Sequence, residues 1–85
     1  MERLTVKTEN GHYALTGGDH EQMIERLGLF EDAYTELMKS RAQIPKELEA
    51  LRTQGKEKTV TYKETLAQKL MNGYMIQFFE RHGLK

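Results

Sequence analysis

The stretch DHEQMIERLGLFEDAYTEL, residues 19–37, decides the reading of the fold. Met23, Leu27, Phe30, Tyr34 and Leu37 recur in it at spacings of four, three, four and three. A repeat of that kind has a period of about 3.5 and places all five side chains on one helical face. Asp19 stands where an N-cap belongs, with Gln22 at the third position of a capping box, and Glu21 and Glu25 lie near the positive end of the helix dipole. The seam runs on toward Arg41, so a helix is expected over residues 19–42. From residue 20 to residue 42 it would be roughly 34 Å long at about 1.5 Å per residue.

Outward toward the N-terminus, residues 3–17 read as a β-hairpin. Asn10-Gly11 is the dipeptide that a two-residue type I′ turn favours, because both central positions need φ > 0. That turn would set Glu9 opposite His12, Thr8 opposite Tyr13 and Val6 opposite Leu15. Leu4, Val6, Thr8, Tyr13 and Leu15 would then share one face. A hairpin alone is marginal in water, so this face is expected to lie on helices or on another chain. Gly17-Gly18 ends the hairpin.

Outward toward the C-terminus, Pro45 excludes the helical conformation at the preceding residue and suits the first turn of a new helix. Ile44, Leu48 and Leu51 mark a short helix over residues 45–52, followed by a polar connector over 53–58. Thr61 and Glu64 form a second capping box. The last helix is expected over residues 61–82, with Leu66, Leu70, Met71, Tyr74, Met75, Phe78 and Phe79 as a wide apolar stripe. Gly83 fits the C′ position of a Schellman motif, with Leu84 at C″.

The expected architecture is therefore α+β and mostly helical: one domain over residues 1–85, in ββααα order. Eighty-five residues with 38% hydrophobic and 31% charged residues leave little material for a core. A core of this size supplies about 3–5 kcal/mol, and without cysteines there are no disulfides to supplement it. The last helix also carries apolar residues on more sides than one neighbouring helix would cover. We therefore expect a homo-oligomer, with Met23, Leu27, Phe30, Tyr34, Leu37, Leu66, Leu70, Tyr74 and Phe78 in core or interface. No apolar run approaches the roughly 18 residues of a membrane span, and the first residues lack the apolar stretch of a signal peptide. A cytoplasmic location is expected.

Chemistry is sparse. His12, His20 and His82 fall on different elements without ligand spacing, so no metal site is expected. Ser40 is the only serine and lacks a nucleophile elbow around it. Glu31 and Asp32 are adjacent and point about 100° apart on a helix, which is no catalytic dyad. Neither an enzymatic role nor a cofactor is expected. The candidate site is an anion- or nucleotide-binding set at the start of the last helix: Lys56, Lys58, Thr59, Thr61, Tyr62 and Lys63. Helix N-termini attract anions, the lysines add charge and Tyr62 offers a stacking face. The same residues equally make an ordinary capped helix start.

Thirteen basic and thirteen acidic residues sum to zero, which counts against a general polyanion binder. The charges are nonetheless segregated. Residues 19–36 carry Asp19, Glu21, Glu25, Glu31, Asp32 and Glu36 against Arg26, a net of −5. Residues 37–56 carry Lys39, Arg41, Lys46, Arg52 and Lys56 against Glu47 and Glu49, a net of +3. Two copies paired antiparallel would set acidic halves against basic ones.

Met1-Glu2-Arg3-Leu4-Thr5 ahead of a hairpin, Arg26-Leu27-Gly28-Leu29-Phe30-Glu31-Asp32-Ala33, and Ile44-Pro45-Lys46-Glu47-Leu48 together resemble small accessory proteins of phages and prophages of Gram-positive bacteria. The stretch Gly55 to Glu64 is similar to tails of mobile-element proteins. The resemblance covers roughly the first half of the chain. It implies a non-enzymatic, anti-defence role, in which the chain occupies a host or defence-system protein or sequesters a nucleotide signal. The alternative is a small nucleic-acid-binding accessory protein using Lys46, Arg52, Lys56, Lys58 and Lys63, with affinity falling steeply in salt.

Overall fold

The computed structural model describes residues 2–17 and 19–84. The elements are β1 (Thr5–Lys7), β2 (Tyr13–Leu15), α1 (His20–Thr53) and α2 (Val60–Arg81). The chain is thus mostly helical with an N-terminal hairpin, but the described residues form two helices, not three. It divides into two compact units, one up to Ala33 and the other from Tyr34 onward.

In the first unit, β1 and β2 pair antiparallel with Thr5 opposite Leu15, Val6 opposite Ala14 and Lys7 opposite Tyr13. This differs by one residue from the expected register. The loop holds three residues, Glu9, Asn10 and Gly11, closed by bonds from Thr8 N to His12 O and from Gly11 N to Thr8 O. Only Gly11 takes positive φ, at 83°. Such a loop is a turn followed by a left-handed residue and a bulge, the usual three-residue hairpin. The Thr8 hydroxyl lies within hydrogen-bond distance of the Asn10 side-chain oxygen and the His12 carbonyl, and so favours it.

A one-residue slip moves a strand's side chains to the other face. Tyr13 and Leu15 therefore sit with Lys7 and Thr5, not with Val6, and the single apolar face expected of Leu4, Val6, Thr8, Tyr13 and Leu15 does not form. Lys7 Nζ lies 5.9 Å from the Tyr13 ring centre across the strands. Val6 and Tyr13 are more than half exposed. The expected role of Gly18 in ending the hairpin lies outside the described residues. The start of α1 is as expected: Asp19 Oδ1 accepts from Gln22 N at 2.7 Å. Arg26 Nη1 donates to the Glu2 carbonyl and ties the chain ahead of β1 to the helix.

In the second unit, residues 34–53 of α1 pair antiparallel with α2. Three contacts fix the register: Tyr34 against Phe79 edge-on at 5.8 Å, Asn72 Nδ2 to Ser40 Oγ at 2.7 Å, and Arg52 Nε to Tyr62 Oη at 3.0 Å. The buried apolar side chains of the described residues are Leu37, Ile44, Leu48 and Ile76. Leu37, Ile44, Leu48 and half-buried Leu51 recur at heptad spacing on α1, as do Tyr62, Thr65, Asn72, Ile76 and Phe79 on α2.

Pro45 does not end a helix; it lies inside α1. A proline there removes the bond to the Arg41 carbonyl and crowds it, at a cost of ~3 kcal/mol. Ile44 and Leu48 flank it and are 5% and 2% exposed. Burying two such side chains contributes about 1.5–3 kcal/mol each, which offsets the proline, while Pro45 itself faces outward. The two helices expected over 19–42 and 45–52 are therefore one. It ends in a Schellman motif around Gly55 (φ 71°), with Lys56 N bonded to Leu51 O and Gly55 N to Arg52 O. The motif expected at Gly83 is present: Leu84 N bonds Phe79 O and Gly83 N bonds Glu80 O.

Candidate functional site

At about 100° per residue, the α2 positions that meet α1 leave the opposite side of the helix uncovered. Ala67, Met71, Tyr74 and Phe78 fall within about 60° of arc on that opposite side, with Leu70 beside them. Tyr74 is 69% exposed, Leu70 58%, Met71 56% and Phe78 50%. The stripe expected in core or interface thus lies mostly outside the core of the single chain. Leu66 is 39% exposed and Met75 41%, at the margins of the paired face.

α2 carries two apolar-bearing faces. Apolar density marks only the outer one, because the face that packs uses Thr65 and Asn72. Asn72 is 3% exposed; its amide donates to Ser40 and its Oδ1 accepts from Gln68 Nε2 at 2.8 Å. Both halves of the amide are matched, which is the condition for burying it.

Toward the C-terminal end of the outer face, Tyr74, Gln77, Phe78, Glu80 and Arg81 line an open groove. The Arg81 guanidinium lies 5.6 Å from the Phe78 ring centre, and the His82 ring 4.8 Å from it. Glu64 stands almost one turn before Ala67 and Arg81 almost one turn after Phe78, so the stripe has an acid at one end and a base at the other. Between Glu64 and Glu80 the only charged residue is Lys69, which is exposed and lies roughly 170° round the helix from the stripe.

A second exposed stretch lies in the first unit. Ile24, Leu27 and Leu29 of α1 are 65%, 56% and 62% exposed, and Phe30 is 37%. Met23 is half-buried. Of the residues expected in core or interface, Leu37 is buried and Tyr34 half-buried, while the rest, apart from Met23, are exposed.

The expected anion-binding set is assembled differently from its sequence reading. Thr59, not Thr61, is the N-cap of α2: its φ and ψ are −78° and 157°, and its Oγ1 accepts from Tyr62 N at 3.2 Å. The same hydroxyl donates to Lys56 O at 2.7 Å. Thr61 is already helical, its carbonyl accepting from Thr65 Oγ1 at 2.8 Å, so no capping box joins Thr61 to Glu64. The Tyr62 hydroxyl accepts from Arg52, whose guanidinium also lies 6.0 Å from the Tyr62 ring centre and 3.5 Å from Glu49. The hydrogen bond to Tyr62, more than the neighbouring charges, holds Arg52 above its ordinary value. Lys56, Lys58 and Lys63 are exposed around this helix start. The Thr59 hydroxyl, expected to hold a phosphate, is therefore engaged within the chain, and the Tyr62 ring, expected to offer a stacking face, is half-buried beside the Arg52 guanidinium.

Among the described residues no three His, Asp or Glu side chains are grouped to hold a metal ion. No helix among them is long and apolar enough to cross a membrane. No family model, no curated protein and no solved structure matches this chain.

Proposed function

We propose that this chain is a non-enzymatic binding protein that acts by covering a surface of another protein. The observation that carries the reading is the ratio of exposed to buried apolar side chains. Among the described residues, fifteen large hydrophobic side chains are exposed and four are buried. Single exposed apolar residues are ordinary, but contiguous ones mark interaction surfaces. Here Leu70, Met71, Tyr74 and Phe78 share one face of α2, and in the first unit Ile24, Leu27 and Phe30 share one side of α1.

A protein partner is favoured over a nucleotide because the Thr59 hydroxyl is used on Lys56 and its own helix start, and the Tyr62 ring is half-buried beside Arg52. The resemblance to phage accessory proteins directs the partner search toward host or defence-system components.

The test is affinity capture from phage-infected Gram-positive cells with wild-type, Leu27→Glu and Tyr74→Glu baits, followed by calorimetry with the purified captured protein. A partner bound by wild type and lost with Leu27→Glu supports the reading. Retention of nothing specific, or of the same proteins by all three baits, contradicts it.

A further inference from the structure

Resting on the reading that the free apolar surface serves binding, we infer that the outer face of α2 is occupied by α2 of a second copy, antiparallel, with Met71 against Tyr74, Ala67 against Phe78 and Glu64 against Arg81.

The residues of that face form their own heptad: Glu64, Ala67, Met71, Tyr74, Phe78 and Arg81 recur at spacings of three, four, three, four and three. A seam of this period is what a partner helix packs into. In an antiparallel pair centred between Asn72 and Gly73, each layer joins two residues whose numbers lie symmetrically about that centre. The central layers then join Met71 and Tyr74. The next join Ala67, the one small residue of the stripe, to Phe78, a bulky one. The outer layers join an acid to a base, Glu64 to Arg81. Small faces large and negative faces positive in the layers flanking the centre, and the two-fold axis repeats each match.

A parallel pair of the same helices would set Ala67 on Ala67, Phe78 on Phe78, Glu64 on Glu64 and Arg81 on Arg81. That arrangement has a gap, a crowded layer and two like-charge layers. The match is therefore specific to the reversed copy of this chain. An acidic or basic foreign helix finds no counterpart, since the stripe between its ends carries no charge.

At these exposures, Leu70, Met71, Tyr74 and Phe78 present on the order of 500 Å² per chain, so two copies can remove up to about 1,000 Å² from water, the lower bound for a specific interface. The groove beside Tyr74, Phe78 and Arg81 is open to receive Leu70 and Ala67 of the second copy.

Sedimentation equilibrium on the full chain tests this. Tyr74→Glu is expected to raise the dimer dissociation constant at least ~100-fold. Glu64→Arg and Arg81→Glu are each expected to raise it about fivefold to tenfold, since each removes both symmetric ion pairs, and the double exchange to return it to within about threefold of wild type. The chain has no cysteine, so Glu64→Cys mixed with Arg81→Cys is expected to give the mixed disulfide on oxidation, and Glu64→Cys alone to give little. A wild-type monomer overturns the inference and leaves capture through Leu27 standing. A dimer indifferent to Tyr74→Glu overturns the face. Ready Glu64→Cys self-crosslinking overturns the antiparallel register. A monomer that takes up an unrelated amphipathic helix overturns the choice of occupant.

Discussion

Replacing Asn72 tests the pairing of α2 with the second part of α1. Asn72 is buried at 3% exposure and links Gln68 to Ser40, the latter across the two helices at 2.7 Å. Asn72→Ala removes two hydrogen bonds worth about 1 kcal/mol each net and leaves the half-buried Ser40 hydroxyl without that partner. A destabilisation of about 2–3 kcal/mol is expected. Ser40→Ala alone loses one bond and strands the Asn72 amide, for roughly 1–2 kcal/mol. In the double variant neither group is stranded, so the two effects should fall short of additivity by about 1 kcal/mol. Urea unfolding followed by far-ultraviolet circular dichroism, at one fixed protein concentration, measures all four proteins. Effects that add to within about 0.3–0.5 kcal/mol would mean that Ser40 and Asn72 do not meet. The antiparallel register, and with it the identity of the outer face, would then be wrong.

Helix continuity, capping and the hairpin loop can be tested in the same way. Pro45→Ala should raise stability by about 1–3 kcal/mol, because it restores a bond inside a continuous helix; if Pro45 began a separate helix, the same change would lower it. In the same urea assay, Thr59→Ala should cost about 1 kcal/mol, the worth of a side-chain cap, while Thr61→Ala should stay within about 0.5 kcal/mol; the reverse order would return the cap to Thr61. Gly11→Ala forces a side chain into φ 83° and should cost about 1–2 kcal/mol of hairpin stability, read as faster amide exchange at Thr8 and Thr16; an unchanged rate would contradict the three-residue loop.

Much of the outline was legible in the sequence, and the misses have physical causes. Asp19 and Gly83 carry caps whose geometry depends only on a few neighbouring residues, and both form as expected. Asn10-Gly11 marks a hairpin without fixing its loop length. That choice turned on whether Asn10 takes positive φ, and the Thr8 side chain tips the balance to the longer loop. Pro45 was misleading because its local preference is outweighed by the burial of Ile44 and Leu48, which only tertiary contact reveals. Thr59 and Thr61 are equally good caps in isolation, and the bonds of Thr59 to the Lys56 carbonyl favour the earlier one.

The α2 faces are the most instructive case. Counting apolar residues finds Leu70, Met71, Tyr74 and Phe78 and assigns them to core or interface. The face that packs within the chain is less apolar, because a matched Asn72–Ser40 pair substitutes for a hydrophobic layer. The excess of apolar surface was thus visible in the sequence; which side carried it was not.

The central claim is that the outer face of α2 is covered by a second copy. The mass of the wild-type protein in solution, by light scattering across a concentration series and beside Tyr74→Glu, tests it most directly. The expected result is a species of twice the 9.9 kDa chain mass for wild type and a single chain for the variant. Wild-type protein that stays at 9.9 kDa up to millimolar concentration would contradict it.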